Sequence, residues 1–127
     1  QRAVSRLGKP EYFLIFNAYE IKRNLIALLN QYAGMAVERG VQPIAIFVPR
    51  NRLDTSSASA FIAQHRAAID ARLLLGDVAE FPEVDWVKFN SLEDGGNNIC
   101  HPSPYGYQTI AEYIDDFMRK NNVWPPP

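Results

Sequence analysis

Two uninterrupted apolar runs constrain the fold of this chain more than any other feature of its sequence. The first spans residues 12–16 and follows Pro10, and the second spans residues 44–48 between Pro43 and Pro49. Both runs are rich in aromatic and β-branched residues and lack the alternation of a half-exposed strand. They therefore predict strands that are buried on both faces, as in the interior of a parallel sheet.

Segments with helical periodicity separate the predicted strands. Residues 18–39 place apolar side chains at three- and four-residue spacing, which predicts an amphipathic helix that ends at Gly40. A second helix is expected to begin among the N-cap residues of 54–59 and to end near Gly76.

The last strand and the last helix are predicted in the final third of the chain. Residues 84–89 are the candidate third strand, and a polar, glycine-containing loop follows over 91–100. The last helix is expected to begin at Ser103-Pro104, an N-cap residue followed by proline at the first helical position. Its predicted core face consists of Ile110, Ala111, Ile114, Phe117 and Met118.

The order of these elements predicts an α/β fold. Three strands that alternate with three helices indicate a mainly parallel sheet between two helix layers, a three-layer α/β/α sandwich of the flavodoxin-like type. The 127 residues fit one compact domain. In such sheets, functional residues are expected in the loops that follow the carboxyl ends of the strands.

The composition of the chain limits the kinds of molecule that it is expected to bind. Thirteen Lys and Arg residues and fourteen Asp and Glu residues give a net charge of −1 without charged blocks, which argues against nucleic acid and anionic membranes. No apolar run approaches the roughly 20 residues of a membrane span. The single cysteine, Cys100, excludes an internal disulfide and leaves the compartment open. No metal-ligand spacing is present, so we expect neither a metal nor a cofactor.

His101 is the candidate catalytic residue. Within residues 98–103, Asn-Ile-Cys-His-Pro-Ser, the imidazole lies immediately before the predicted last helix, at the edge of the sheet where chemistry is expected. Histidine can act as a general base near neutral pH. A lone histidine before a helix is more often structural or merely exposed, so its interpretation depends on the neighbouring residues.

These neighbours resemble the last conserved block of the SGNH/GDSL hydrolase family, Asp-x-x-His, commonly followed by Pro-Ser and a nearby glycine. Residues 98–107 match this block except that Asn98 stands in the aspartate position. The resemblance implies that His101 takes a proton from a serine and that Asn98 occupies the position that orients the imidazole. An amide carries no charge to stabilise imidazolium, and Asp94 on the same loop is a substitute candidate.

The likeness extends weakly towards the amino terminus. The family has a Gly-x-Asn-Asp block after its third strand, and Asn17 matches the asparagine within residues 15–18, Ile-Phe-Asn-Ala. The resemblance makes Asn17 an oxyanion donor, although an N-cap for the following helix is an equal alternative. The family's Gly-Asp-Ser nucleophile turn is not found, because Gly-Asp occurs only at Gly76-Asp77 and is followed by Val78.

Other polar and aromatic residues receive simpler interpretations. Ser103 is expected to cap the last helix rather than to act as a nucleophile, and Cys100 is interpreted as a bystander. His65 is predicted to lie mid-helix and to face solvent. Tyr105 and Tyr107 are candidates for the wall of an acyl or sugar site.

The resemblance implies a serine esterase or lipase that acts on a small-molecule or glycan ester. The chain would be the carboxyl-terminal part of such a domain, a fragment without the first strands, or an inactive relative. A sheet without those strands would expose an edge, so we expect self-association or a companion chain that covers it. The alternative is a non-catalytic, flavodoxin-like binding or interaction module.

Overall fold

A computed structural model describes residues 14–17, 24–48, 55–81, 84–90 and 101–124. Strands and helices alternate along these residues as far as α3, and a further helix, α4, follows. Their bounds are β1 (Leu14–Asn17), α1 (Leu25–Glu38), β2 (Ile44–Val48), α2 (Thr55–His65), β3 (Leu74–Asp77), α3 (Trp86–Phe89) and α4 (Pro104–Lys120). Short 3₁₀ helices follow α2 at Arg66–Ala68 and β3 at Val78–Glu80.

The three strands form one parallel sheet in the order β1-β2-β3. In its register, Leu14 lies beside Ala45, and Ile44 lies beside Leu74. The prediction of an α/β fold with a parallel sheet is therefore confirmed for the described part of the chain. β2 is the central strand, and all five of its residues are buried, as its continuous apolar run predicted.

Side chains on the two faces of β2 belong to two different apolar clusters. Ala45 and Phe47 lie in the first cluster, whereas Ile44, Ile46 and Val48 lie in the second. The other buried members of the first cluster are Leu25, Leu29, Tyr32, Ala33, Ala36, Val41, Ile69 and Leu73. Those of the second are Val78, Phe89, Tyr113, Met118 and Val123. Because both faces of β2 are covered, polar residues at alternate positions would be costly there.

The end of α1 follows its local sequence. Gly40 adopts a positive φ of 72°, and its N–H donates to the Val37 carbonyl at 3.0 Å. The Val41 N–H donates to the Ala36 carbonyl, so two carbonyls of the last helical turn are satisfied. The predicted end at Gly40 is confirmed, whereas the predicted start over residues 18–23 lies outside the described residues.

The predicted third strand is wrong. Residues 86–89 form the short helix α3, because the Asp85 side chain accepts hydrogen bonds from the N–H groups of Val87 and Lys88 and caps it. The third strand is instead Leu74–Asp77, a segment for which the helical spacing predicts the end of the second helix.

Helix α2 correspondingly ends at His65 and not near Gly76. Ile69 and Leu73 fit the helical spacing, but they lie in an irregular segment after the 3₁₀ helix. Their side chains are buried from there. The Arg66 guanidinium donates to the carbonyls of Ala71 and Leu73, and these bonds satisfy the non-helical backbone.

The last helix begins as predicted. Pro104 is its first residue, and the Ser103 hydroxyl accepts from the Gly106 N–H at 3.1 Å. Met118 is buried on the predicted core face, but Ala111 is exposed, and the sequence interpretation overlooked buried Tyr113. No helix among the described residues is both long and apolar enough to cross a membrane.

Candidate functional site

Two polar residues end the outer strands β1 and β3 at the same edge of the sheet. Asn17 is the last residue of β1 and pairs with Val48, and Asp77 is the last residue of β3 and pairs with Phe47. Adjacent strands lie about 4.8 Å apart, so the two positions are separated by about 10 Å across β2. The carboxyl edge of the parallel sheet thus carries an amide position and a carboxylate.

Asp77 is the residue at this edge that sequence reasoning missed as a candidate. It is 1% exposed, and its carboxylate accepts from the Ala79 N–H at 2.9 Å. The Asp77 N–H donates to the Tyr113 hydroxyl at 2.8 Å. In the sequence, Gly76-Asp77 resembles only an incomplete nucleophile turn, but an aspartate that follows an apolar run can also mark the polar end of a strand.

The backbone that carries His101 is held by contacts on its carboxyl-terminal side. Pro102 forms an isolated β-bridge with Asn90, and the Ser103 N–H donates to the Phe89 carbonyl at 2.8 Å. The Ser103 hydroxyl also donates to the carbonyls of Lys88 and Phe89. His101 itself is exposed. Its imidazole is therefore accessible from solvent while the residues after it are fixed against α3.

Close packing between α3 and α4 reinforces this arrangement. A Cβ on Gly106 would overlap the Phe89 carbonyl oxygen and lie 2.8 Å from the Pro102 Cβ. The Asp85 N–H donates to the Tyr105 hydroxyl at 2.9 Å, which ties the start of α4 to the cap of α3. Tyr105 thus has a structural contact, and Tyr107 is 58% exposed; their predicted role as walls of a substrate site stays a prediction.

Of the remaining predicted residues, the structure describes Asn17 and His65. Asn98, Asp94 and Cys100 lie outside the described residues, so the orienting partner of His101 stays a prediction. Asn17 is placed by its backbone at the end of β1. The prediction for His65 is wrong, because this residue ends α2, is half-buried and packs its ring 4.8 Å from that of Phe61.

Near the carboxyl edge of the sheet, the surroundings of Tyr113 shift the pKa of its hydroxyl. Burial raises the pKa of this phenol well above its usual range, and the nearby carboxylate of Glu80 acts in the same direction. The hydroxyl therefore stays protonated and donates to Glu80 at 3.0 Å. Within the described ranges, no group of three or more His, Cys, Asp and Glu residues could hold a metal ion.

No protein-family model, curated protein or solved structure matches this chain.

Proposed function

We propose that the chain is the histidine-bearing part of an SGNH/GDSL-like ester hydrolase, with His101 as its general base. The observation that carries the proposal is the anchoring of His101, an exposed imidazole directly before a backbone segment fixed by the Asn90–Pro102 bridge and the Ser103 cap. Helices of parallel α/β sheets run antiparallel to the strands. α4 packs at the carboxyl end of β3 through Tyr113, whose hydroxyl accepts from the Asp77 N–H. The proposal requires that His101, before the start of the same helix, face the edge where Asn17 and Asp77 end their strands.

The proposed chemistry is acyl transfer to a serine. The imidazole would take the proton from the serine hydroxyl as its oxygen attacks the ester carbonyl, and Asn17 would donate to the developing oxyanion. The imidazolium would then give that proton to the departing alkoxide. Water, activated by the same base, would release the carboxylic acid and regenerate the serine. The sequence contains no Gly-Asp-Ser turn that would supply this serine.

The proposal includes the finer architecture and the substrate class. A three-layer α/β/α arrangement is supported by the two apolar clusters on opposite faces of β2. An exposed base next to a well-packed helix start suits a small-molecule or glycan ester that approaches from solvent. A companion segment or a second copy would cover a sheet edge.

A second candidate function is a non-catalytic, flavodoxin-like binding or interaction module. Asn98 favours the form of this alternative in which the chain is an inactive hydrolase relative that serves as an interaction domain, because an amide in the orienting position cannot stabilise a protonated imidazole by charge. Both candidates use the segment around the exposed His101, but only the hydrolase requires a reactive imidazole at this position.

Hydrolysis of a short-chain nitrophenyl ester separates the two candidates. The chain is compared with His101→Ala and with His65→Ala, which removes the other histidine and measures the unspecific reaction of imidazole with activated esters. Because the chain lacks the Gly-Asp-Ser serine, the reaction measured is attack of water on the activated ester with His101 as its base. A positioned base contributes about 10²-fold or more, so we expect His101→Ala to lose most of the turnover and His65→Ala to retain it. Equal rates in all three proteins would favour the non-catalytic module, and intact mass would exclude proteolysis.

A further inference from the structure

A cavity of about 140 Å³ lies beside the second half of α4. It is lined by Glu80, Phe81, Tyr113, Asp116, Phe117 and Lys120. Tyr113, the lining residue of α4 nearest to its start, follows Pro104 by nine helical residues, which corresponds to about 14 Å along the helix axis. The cavity is therefore separate from the start of α4, where His101 lies, and the proposed ester hydrolysis does not use it.

Three aromatic rings line this cavity, those of Phe81, Tyr113 and Phe117, and we refer to them as the aromatic corner. The rings of Tyr113 and Phe117 are stacked, with centroids 5.9 Å apart and an interplanar angle of 26°. Phe81 lies 6.0 Å from Tyr113 at an interplanar angle of 79°. Aromatic faces carry partial negative charge and attract cations, so two ring orientations at nearly a right angle can contact one cation from two sides.

The polar lining of the cavity is acidic on balance. Glu80 and Asp116 contribute two carboxylates, and Lys120 contributes one ammonium group. The Lys120 Nζ lies 3.0 Å from an Asp116 carboxylate oxygen, but its side chain is 73% exposed. An exposed pair of this kind is weakened by water and salt, so Lys120 can leave Asp116 at little cost.

We propose that this cavity binds a small alkylated ammonium group. The aromatic corner would contact its methyl groups and its spread charge, while Glu80 and Asp116 would supply the opposite charge. The Tyr113 hydroxyl donates to Glu80 at 3.0 Å and so keeps that carboxylate next to the aromatic corner. An anion would meet two carboxylates, and a neutral apolar molecule would gain nothing from them. The cavity volume suits a trimethylammonium head group rather than a large ligand.

The test uses choline and its neutral isostere 3,3-dimethyl-1-butanol, in which a carbon replaces the charged nitrogen. Each is titrated into the chain at constant ionic strength while the aromatic proton resonances are followed by NMR. We expect saturable shifts with choline and none with the isostere at equal concentration. Equal shifts with both would show an unspecific apolar pocket, and no shift with choline would also overturn the proposal.

Three variants test the charge of the site. Glu80→Gln keeps an acceptor for Tyr113 and is expected to weaken choline binding by about threefold to tenfold. Glu112→Gln removes a carboxylate elsewhere on α4, where it bonds to Gln108, and should leave the affinity unchanged. Lys120→Met removes the competing cation and is expected to tighten binding about threefold. Weaker binding in Lys120→Met, with the fold intact by circular dichroism, would contradict a cation site.

Discussion

Asp70 stabilises the segment between α2 and β3 through bonds from one neighbouring residue. Its carboxylate accepts from the Arg72 backbone N–H at 2.9 Å, from Nε at 3.0 Å and from Nη2 at 2.7 Å. The side-chain bonds from Arg72 lower the pKa of Asp70 from 3.8 to about 2. The folded state therefore favours the ionised carboxylate more strongly than the unfolded chain does.

The Asp70→Asn substitution is expected to make the free energy of unfolding depend less on pH in the acidic range. Because the folded pKa lies below the unfolded value of 3.8, the contribution is complete above that value and is lost as the pH falls towards 2. At pH 7 the free energy of unfolding of the variant should be lower by about 0.5–1 kcal/mol. The expected loss is small because Arg72 is half-exposed and water weakens its bonds to Asp70. Urea unfolding at pH 7 and pH 3 measures this difference, which should shrink at pH 3.

Arg72→Met removes the same bonds from the other partner and provides the matched test. It should reproduce both the loss at pH 7 and its decrease at pH 3. A loss of the same size at both pH values, in either variant, would show that packing and not the ionised carboxylate stabilises this turn.

The helices contain two glycines with opposite surroundings. Gly34 lies in the middle of α1, and a Cβ added there would meet no atom within 4 Å. Gly106 lies in the first turns of α4, where an added Cβ would overlap the Phe89 carbonyl oxygen. Gly34 therefore only destabilises α1 through the conformational entropy of glycine in a helix. Gly106, in contrast, allows α3 and α4 to approach closely.

Alanine substitutions at these two glycines are therefore expected to have opposite effects. Gly34→Ala should raise the free energy of unfolding by up to about 1 kcal/mol. Gly106→Ala should lower it by about 1–3 kcal/mol, because a backbone carbonyl cannot rotate away as a flexible side chain can. Thermal unfolding of the two variants beside the parent chain is the measurement. A Gly106→Ala variant as stable as the parent would show that α3 is not fixed against α4.

On the scale of the whole molecule, Tyr113 connects the sheet to the last helix. Its hydroxyl accepts from the Asp77 N–H and donates to Glu80, which precede it by 36 and 33 residues. Its ring packs against Phe81 and Phe117. One side chain thus joins the end of β3, the 3₁₀ helix after it and α4.

Tyr113→Phe is expected to lower the free energy of unfolding by about 1–3 kcal/mol, because it removes the acceptor of a buried backbone N–H. Tyr107→Phe is the matched control, since that side chain is 58% exposed, and it should change stability little. Urea unfolding measures both. Hydrogen exchange at the Asp77 amide should accelerate only in Tyr113→Phe, and equal stability of the two variants would contradict a connecting role for Tyr113.

Local signals determined several elements of this fold from the sequence alone. The apolar run of β2, the glycine that ends α1 at Gly40 and the Ser103-Pro104 start of α4 were all predictable. Each signal acts through residues within a few positions of itself, by burial, by a positive φ or by capping. The same holds for His101 as a candidate, because its neighbours in the chain carry the resemblance on which its proposed role rests.

The third strand and the surroundings of Asp77 were decided only by the tertiary structure. Residues 84–89 look more strand-like than Leu74–Asp77, yet β3 forms where the chain pairs with β2, and Asp85 caps a helix instead. Tyr113 meets Asp77 and Glu80 only because α4 packs on the end of β3. Contacts over more than thirty residues depend on the packing of whole elements, and no periodicity or capping pattern encodes them.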